Sequence, residues 1–247
     1  MLSEANKSRV LDVVERLTYD ETFTTLIGDA IRGGRLDLRL AIAWLAEVSQ
    51  ADRYLEIGVR RGFSMSSFAS VRPEATVYGF DMWVKNYTGI DNPGPDFVRD
   101  ELAKVGFRGD ATFTSGNSHV TVPIFFGKQK PTLRDRLAGR TLRYVGPEFD
   151  MILVDGDHSI LGAYQDLTDV IPHIRVGGVL VFDDIAPDLS QFDEAGLAAV
   201  RAELGEDPKG LGGLLGVWHA IQQEHPNFKY FEFTEDAPGV AFAVRQY

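Results

Sequence analysis

The chain has 247 residues, 44% hydrophobic and 25% charged, with a formal net charge of −11 and no cysteine. That length suits one sizeable α/β domain and is short for two. The missing cysteine excludes disulfides, thiol nucleophiles and Cys-ligated zinc, and the acidic balance argues against a nucleic-acid surface, which needs clustered Lys and Arg.

No run approaches the roughly 20 apolar residues of a membrane span, and MLSEANKSRV lacks the apolar stretch of a signal peptide. A cytoplasmic protein with no membrane or nucleic-acid partner is therefore expected. Along residues 1–50, SRVLDVVERL and DLRLAIAWLAEVSQ carry apolar residues at helical spacing and read as an N-terminal helical cap on a domain spanning 51–247. From Arg53 the pattern changes to short apolar runs separated by helix-like segments: YLEIGV (54–59), TVYGFDM (76–82), ATFTSGN (111–117), FDMILVDGD (149–157) and GGVLVFDDI (177–185). Such runs, without strict alternation, suit strands covered on both faces and joined by crossover helices. FKYFEFT (228–234) and GVAFAVRQY (239–247) are close enough to form an antiparallel hairpin. The predicted fold is α/β: a doubly wound, Rossmann-like, mostly parallel seven-stranded sheet with a C-terminal antiparallel hairpin.

Two segments interrupt the alternation. Residues 119–147 hold Lys128, Lys130, Arg134, Arg136, Arg140 and Arg143 against a single acid, Asp135, and residues 186–217 are rich in Gly and Pro. The basic segment reads either as a lip for an anionic or polar substrate or as a solvated face or oligomer contact.

Ligands of open α/β sheets bind outside the carboxyl ends of the strands. The first strand runs into EIGVRRGFS, residues 56–64, where Gly58 and Gly62 permit close backbone approach and a helix starting near Ser64 offers free amides. Arg60 stands where the dinucleotide fingerprint G-x-G-x-x-G has its second glycine, which weakens a pyrophosphate reading. Glu56, two residues before the first glycine, suits an ammonium group, and Asp81, ending the second strand, suits the hydroxyls of a ribose. The plainer alternative is that both acids cap turns. Asp155 ends the fourth strand and the Asp183-Asp184 pair ends the fifth. Adjacent strands lie about 4.8 Å apart, so three carboxylates share a small volume. They repel unless neutralised, and a hard divalent cation such as Mg²⁺ would do so. Asp157 could touch a cofactor, support His158 or shape the turn. His173, His219 and His225 read as solvent-facing or structural, and His119 lies near the cofactor side; Trp83, Tyr87 and Trp218 fall in or near the rim, where flat aromatic faces suit sugar rings, although aromatics are more often core.

Taken in order, the acid and glycines after strand one, the acid after strand two, VDGDH, GGVLVFDD and the closing hairpin resemble a class I S-adenosylmethionine-dependent methyltransferase over roughly residues 50–247. The resemblance implies that Glu56, Gly58, Gly62 and Ser64 surround the methionine moiety and that Asp81 holds the ribose. Asn117 and Ser118 would then line the adenine side. Arg60 departs from the family's glycine loop. The acids are similar to those of metal-dependent O-methyltransferases, which implies Mg²⁺ held by Asp155, Asp183 and Asp184. More narrowly, VDGDH with FDD resembles the macrocin O-methyltransferase group, acting on sugar hydroxyls, in which the residue matching His158 is the general base. The implied acceptor is a sugar or glycosylated metabolite, with a catechol or other phenol as alternative, and a homodimer is possible through the basic segment or the cap. A nicotinamide-dependent oxidoreductase is opposed by Arg60 and by the lack of a Tyr-x-x-x-Lys pair; a non-catalytic cofactor-binding protein is the remaining reading.

Overall fold

The structure, a computed structural model, describes residues 4–18, 21–85, 91–127, 146–185, 213–234 and 239–247. Three helices come first, α1 (Glu4–Arg16), α2 (Glu21–Arg32) and α3 (Leu38–Ser49). Alternation then begins: β1 (Arg53–Ile57), α4 (Phe63–Val71), β2 (Thr76–Asp81), α5 (Pro95–Lys104), β3 (Asp110–Ser115), α6 (Ser118–Phe125) and β4 (Phe149–Val154). It continues through α7 (Ile160–Val170), β5 (Ile174–Asp183), α8 (Gly213–Glu224), β6 (Phe228–Phe233) and β7 (Val240–Arg245).

The seven strands are ordered β3-β2-β1-β4-β5-β7-β6, with β1 to β5 parallel and β7 antiparallel to both neighbours. The sequence predicts the hairpin but not that its second strand is the inner one. Composition explains the order: VAFAV in β7 is buried between two neighbours, whereas β6, FKYFEF, is an edge strand with exposed Lys and Glu. β5 also starts three residues before the predicted run, at Ile174.

Strand alternation sorts the core into two layers. Tyr54, Met151, Leu153, Val179 and Val181 pack against Leu38, Ile42 and Leu45 of α3 and Met65 and Phe68 of α4. Leu55, Ile57, Ile152, Val154, Leu180 and Phe182 pack on the opposite face with Leu167 of α7 and Trp218 of α8. α1 and α2 attach through Val10, Val13, Ile27 and Ile31, which meet Leu40, Ala43 and Phe63. The helical cap thus shares its core with the sheet domain through α3 and α4.

Register places the site. Ile57 pairs with Val154 and Val154 with Phe182, so Gly58, Asp155 and Asp183 follow in one row across β1, β4 and β5. By alternation Glu56, Asp155 and Asp183 belong to the face that α3 covers.

Trp218 is not at the rim. Its ring is fully buried, stacked on Phe182 at 6.0 Å and edge-on to Tyr230 at 5.3 Å, because α8 presents Leu214, Val217, Trp218 and Ile221 as one apolar stripe. His173 is likewise structural: its ring stacks on Phe126 at 3.5 Å, and burial lowers its pKa to about 4. His219 is half exposed beside Glu232, and burial lowers His225. Of the segment 119–147, residues up to Phe125 belong to α6; its basic residues from Lys128 to Arg143, most of segment 186–217 and Tyr87 lie outside the described residues. Among the described residues no helix is long and apolar enough to cross a membrane.

Replacing Trp218 by Ala should cost about 3–5 kcal/mol in chemical denaturation, the usual range for a buried aromatic. The loss should be the same with and without an added acceptor, whereas a rim residue would show a loss confined to acceptor binding.

Candidate active site

β1 ends and the chain turns through Gly58 (φ 90), Arg60 (φ 52) and Gly62 (φ 76) before α4 begins. A Cβ on Gly58 would lie 1.7 Å from the Asp155 carbonyl oxygen, and one on Gly62 would lie 2.6 Å from Val98 Cγ1. The room made by both glycines is therefore filled by the protein's own chain, and β1 and β4 end in direct backbone contact. Beneath this loop Glu56 is fully buried. Its oxygens accept the hydroxyl of Tyr54 at 2.8 Å and that of Ser64. Burial pushes the Glu56 carboxyl up to about 8, against the pull of those two hydrogen bonds. Glu56 and Ser64 thus brace the loop from below.

Asp81 closes the loop from the other side. Its carboxylate accepts the Arg60 amide at 2.6 Å, the Trp83 amide at 2.6 Å and the Asn92 side chain at 3.4 Å. Arg60 and Trp83 both hold left-handed backbone at φ 52, so one carboxylate fixes two strained turns. An ionised carboxylate offers about four acceptor positions, which leaves the partly exposed Asp81 capacity for a further donor.

The acids of β4 and β5 converge with His158. His158 Nε2 lies 2.8 Å from Asp184 Oδ2 and 3.5 Å from Asp155 Oδ1, and one potential ligand atom from each of Asp155, His158 and Asp184 lies within 4.8 Å of the others. Consecutive strand residues point to opposite faces. A left-handed turn at Asp184, φ 56, breaks that alternation directly after Asp183. Asp183 lies outside the group of three; it is buried, with Oδ1 lacking a hydrogen-bond partner. Burial, then the charges of Asp184 and Asp155, raises the Asp183 carboxyl well above its ordinary range, and Arg39 pulls it back. Burial also raises Asp155, an effect that Asp184 reinforces and that His158 and Arg39 oppose. For His158, burial alone would favour the neutral ring, but Asp155 and Asp184 outweigh it and raise its pKa well above the ordinary value.

Arg39 escapes sequence reasoning because it sits in a predicted cap helix, far along the chain from any motif. Its guanidinium forks onto Asp37, the N-cap of α3, and stands 5.5 Å over the Phe63 ring. Burial disfavours its charge, but Asp37, Asp183 and Asp155 keep it firmly protonated. The only signal in the sequence was the pairing of Asp37 and Arg39 at a helix start.

Asn117 caps α6 by accepting the His119 amide at 2.8 Å. His119 Nε2 stands 3.6 Å from Asp157 Oδ2 and 3.5 Å from Asp166 Oδ1. Asp166, a residue that no motif flagged, is buried on α7; burial raises it to about 6, opposed by its neighbours Ser118 and His119. Asp157 accepts the Ser159 amide at 2.8 Å, so it shapes the turn into α7. Gly162 leaves it room: a Cβ there would lie 2.1 Å from Asp157 Cγ.

Residues 55–185 match the family described as Methyltransferase domain. The chain belongs to that family. The match begins in β1 and ends just beyond Asp184, so it takes in the glycine loop, Asp81, Asn117, Ser118 and the whole acid cluster. No curated protein matches the sequence. Among solved structures, the fold is similar to the O-methyltransferase TomG of Streptomyces achromogenes, a SAM complex, at 17% identity and TM-score 0.56, covering 100% of both chains. It is similar to the methyltransferase PaMTH1 of Podospora anserina, bound to SAH, at 15% identity and TM-score 0.57, covering 99% of this chain and 89% of that one. The Bacillus cereus O-methyltransferase in complex with SAH aligns at 15% identity and TM-score 0.52, covering 99% and 92%.

The Glu56 carboxyl predicts a pH effect. Its folded pKa of about 8 lies above the ordinary 4.5, so between these values the folded state binds more protons than the unfolded one and loses stability as pH rises. Glu56→Gln keeps hydrogen-bonding atoms without charge. The melting temperature of the variant minus that of the parent should therefore grow more positive from pH 5 to pH 8.5, and a constant difference would contradict the assignment.

Proposed function

We propose that this methyltransferase-family chain transfers the methyl group of S-adenosylmethionine to a hydroxyl oxygen of a sugar or glycosylated metabolite, with Mg²⁺ held at the acid cluster. The observation that carries the reading is the convergence of Asp155, His158 and Asp184 beside the Asp81 loop. A hard cation suits such a donor set, since Mg²⁺ is commonly held by one or two carboxylates. Next to them the buried Asp183 leaves its Oδ1 without a hydrogen-bond partner among the described residues, an oxygen that suits the same kind of cation.

In this reading Asp81 accepts from the ribose hydroxyls, and Asn117 and Ser118 face the adenine. Glu56 and Ser64 hold the loop at the methionine end. Asp155 and Asp184 would hold Mg²⁺, with the buried Asp183 adjoining them and Arg39 drawing its carboxyl back toward the charged form. The chemistry that Mg²⁺ supplies when bound is polarisation of the acceptor hydroxyl, whose proton is otherwise held about as tightly as that of water, pKa about 15.7. His158 takes that proton. Asp155 and Asp184 favour the charged ring, so the imidazolium formed would be held between them. Methyl transfer itself is an in-line displacement at a sulfonium, and the protein's part is to align oxygen, carbon and sulfur. The sugar acceptor rests on the likeness of VDGDH and FDD to the macrocin O-methyltransferase group.

Incubation with S-adenosylmethionine and a panel of glycosylated and catechol acceptors, followed by mass spectrometry, tests the reading. Methylated glycoside that disappears on chelation is expected. Methylation of catechols alone would overturn the acceptor class, and turnover indifferent to chelator would overturn the metal. His158→Ala should lower kcat by about 10²–10⁴-fold, the usual share of a general base, and a near-parental kcat would remove it from that role.

A further inference from the structure

We propose that Arg61 is a positioning residue coupling the cofactor loop to the N-terminal helices, so that cofactor binding and the docking of α1 reinforce each other. The inference rests on the S-adenosylmethionine reading above.

Arg61 lies between Arg60 and Gly62 in the loop after β1. Its Nη1 donates to the Asp91 carbonyl at 2.8 Å and its Nη2 to the Thr18 carbonyl at 2.9 Å, while the guanidinium carbon stands 4.4 Å from the centre of the Phe97 ring. A planar fork can serve two acceptors and an aromatic face at once, which a lysine ammonium cannot.

Each anchor is itself fixed. The Thr18 amide, just after α1, donates to Glu101 Oε2 at 2.7 Å; Glu101 is buried on α5 and paired with Lys104 at 2.5 Å, and Lys104 also reaches the Thr18 hydroxyl. On the other side Asp91 precedes Asn92, whose amide donates to Asp81, and Asp81 holds the Arg60 amide. Asp81, Arg60, Arg61, Asp91 and Asn92 therefore form a closed ring, from which Arg61 sends one arm to the end of α1. A ribose seated on Asp81 touches that ring directly. Whatever stiffens the ring also fixes the arm, and by linkage the docked helix favours the cofactor to the same extent.

Calorimetric titration with S-adenosylhomocysteine and hydrogen exchange of residues 4–18, each on the parent, Arg61→Gln, Arg61→Lys and Arg16→Gln, test this. Arg16 lies on the same seam, bonded to Asp12 at 2.9 Å and to the Lys104 carbonyl at 3.4 Å, but does not touch the loop. Arg61→Gln should weaken binding about tenfold, within the usual range of coupling. It should also abolish the ligand-induced protection of 4–18. Arg61→Lys should fall short of the parent, and Arg16→Gln should match it. A folded Arg61→Gln that binds as the parent does, or keeps the protection, would overturn the proposal; if that variant fails to fold, Arg61→Lys carries the same test. A parent that does not bind S-adenosylhomocysteine would instead overturn the cofactor reading, and the inference with it.

Discussion

Glu56, Asp155 and Asp183 occupy one face at the carboxyl edge of the sheet, and α3 with α4 covers that face. Glu56 and Asp183 are buried and Asp155 is partly so, which means that water cannot screen their mutual repulsion as it would at the surface. The charge has to be met by the protein or by what the protein binds. Glu56 and Asp183 meet it by holding a proton more tightly, the latter against the pull of Arg39 in the N-terminal layer, and Asp155 and Asp184 by drawing in His158. The backbone approach of Gly58 to the Asp155 carbonyl keeps β1 and β4 close enough for these acids to feel one another.

Much of this was legible in the chain. Short apolar runs ending in acid or glycine mark parallel strands whose carboxyl ends carry chemistry, and the register does align Gly58, Asp155 and Asp183. The acids were readable because a charged residue straight after a buried strand is costly and so informative. Other features were hidden for a physical reason: they depend on partners distant in sequence. Arg39 and Arg61 act through residues on other elements, and Asp166 becomes notable only when α7 lays it beside His119. For Trp218 the structure selects the core over the rim, a choice hidden in sequence because an aromatic near a Gly-rich segment looks the same whichever way its helix faces.

The glycines illustrate the limits of motif reasoning. Gly58 and Gly62 are read most simply as space for a ligand, yet the Asp155 carbonyl and the Val98 side chain occupy that space. What they set is the path of the loop: Arg60 is turned so that its amide reaches Asp81, and Arg61 so that its side chain reaches the end of α1. The replacement of a family glycine by Arg60 is then intelligible, since that residue contributes its backbone, held in the left-handed region by Asp81.

The proposed function stands on the cluster of Asp155, His158 and Asp184 as a seat for a divalent cation. Titration of the protein with Mn²⁺, followed by electron paramagnetic resonance with S-adenosylhomocysteine present, addresses it without any acceptor. Saturable binding that Asp155→Asn weakens by about tenfold or more is expected, since each pKa-scale unit of lost carboxylate interaction is a factor of ten. Binding of equal strength in the parent and the variant, or none in either, would contradict it.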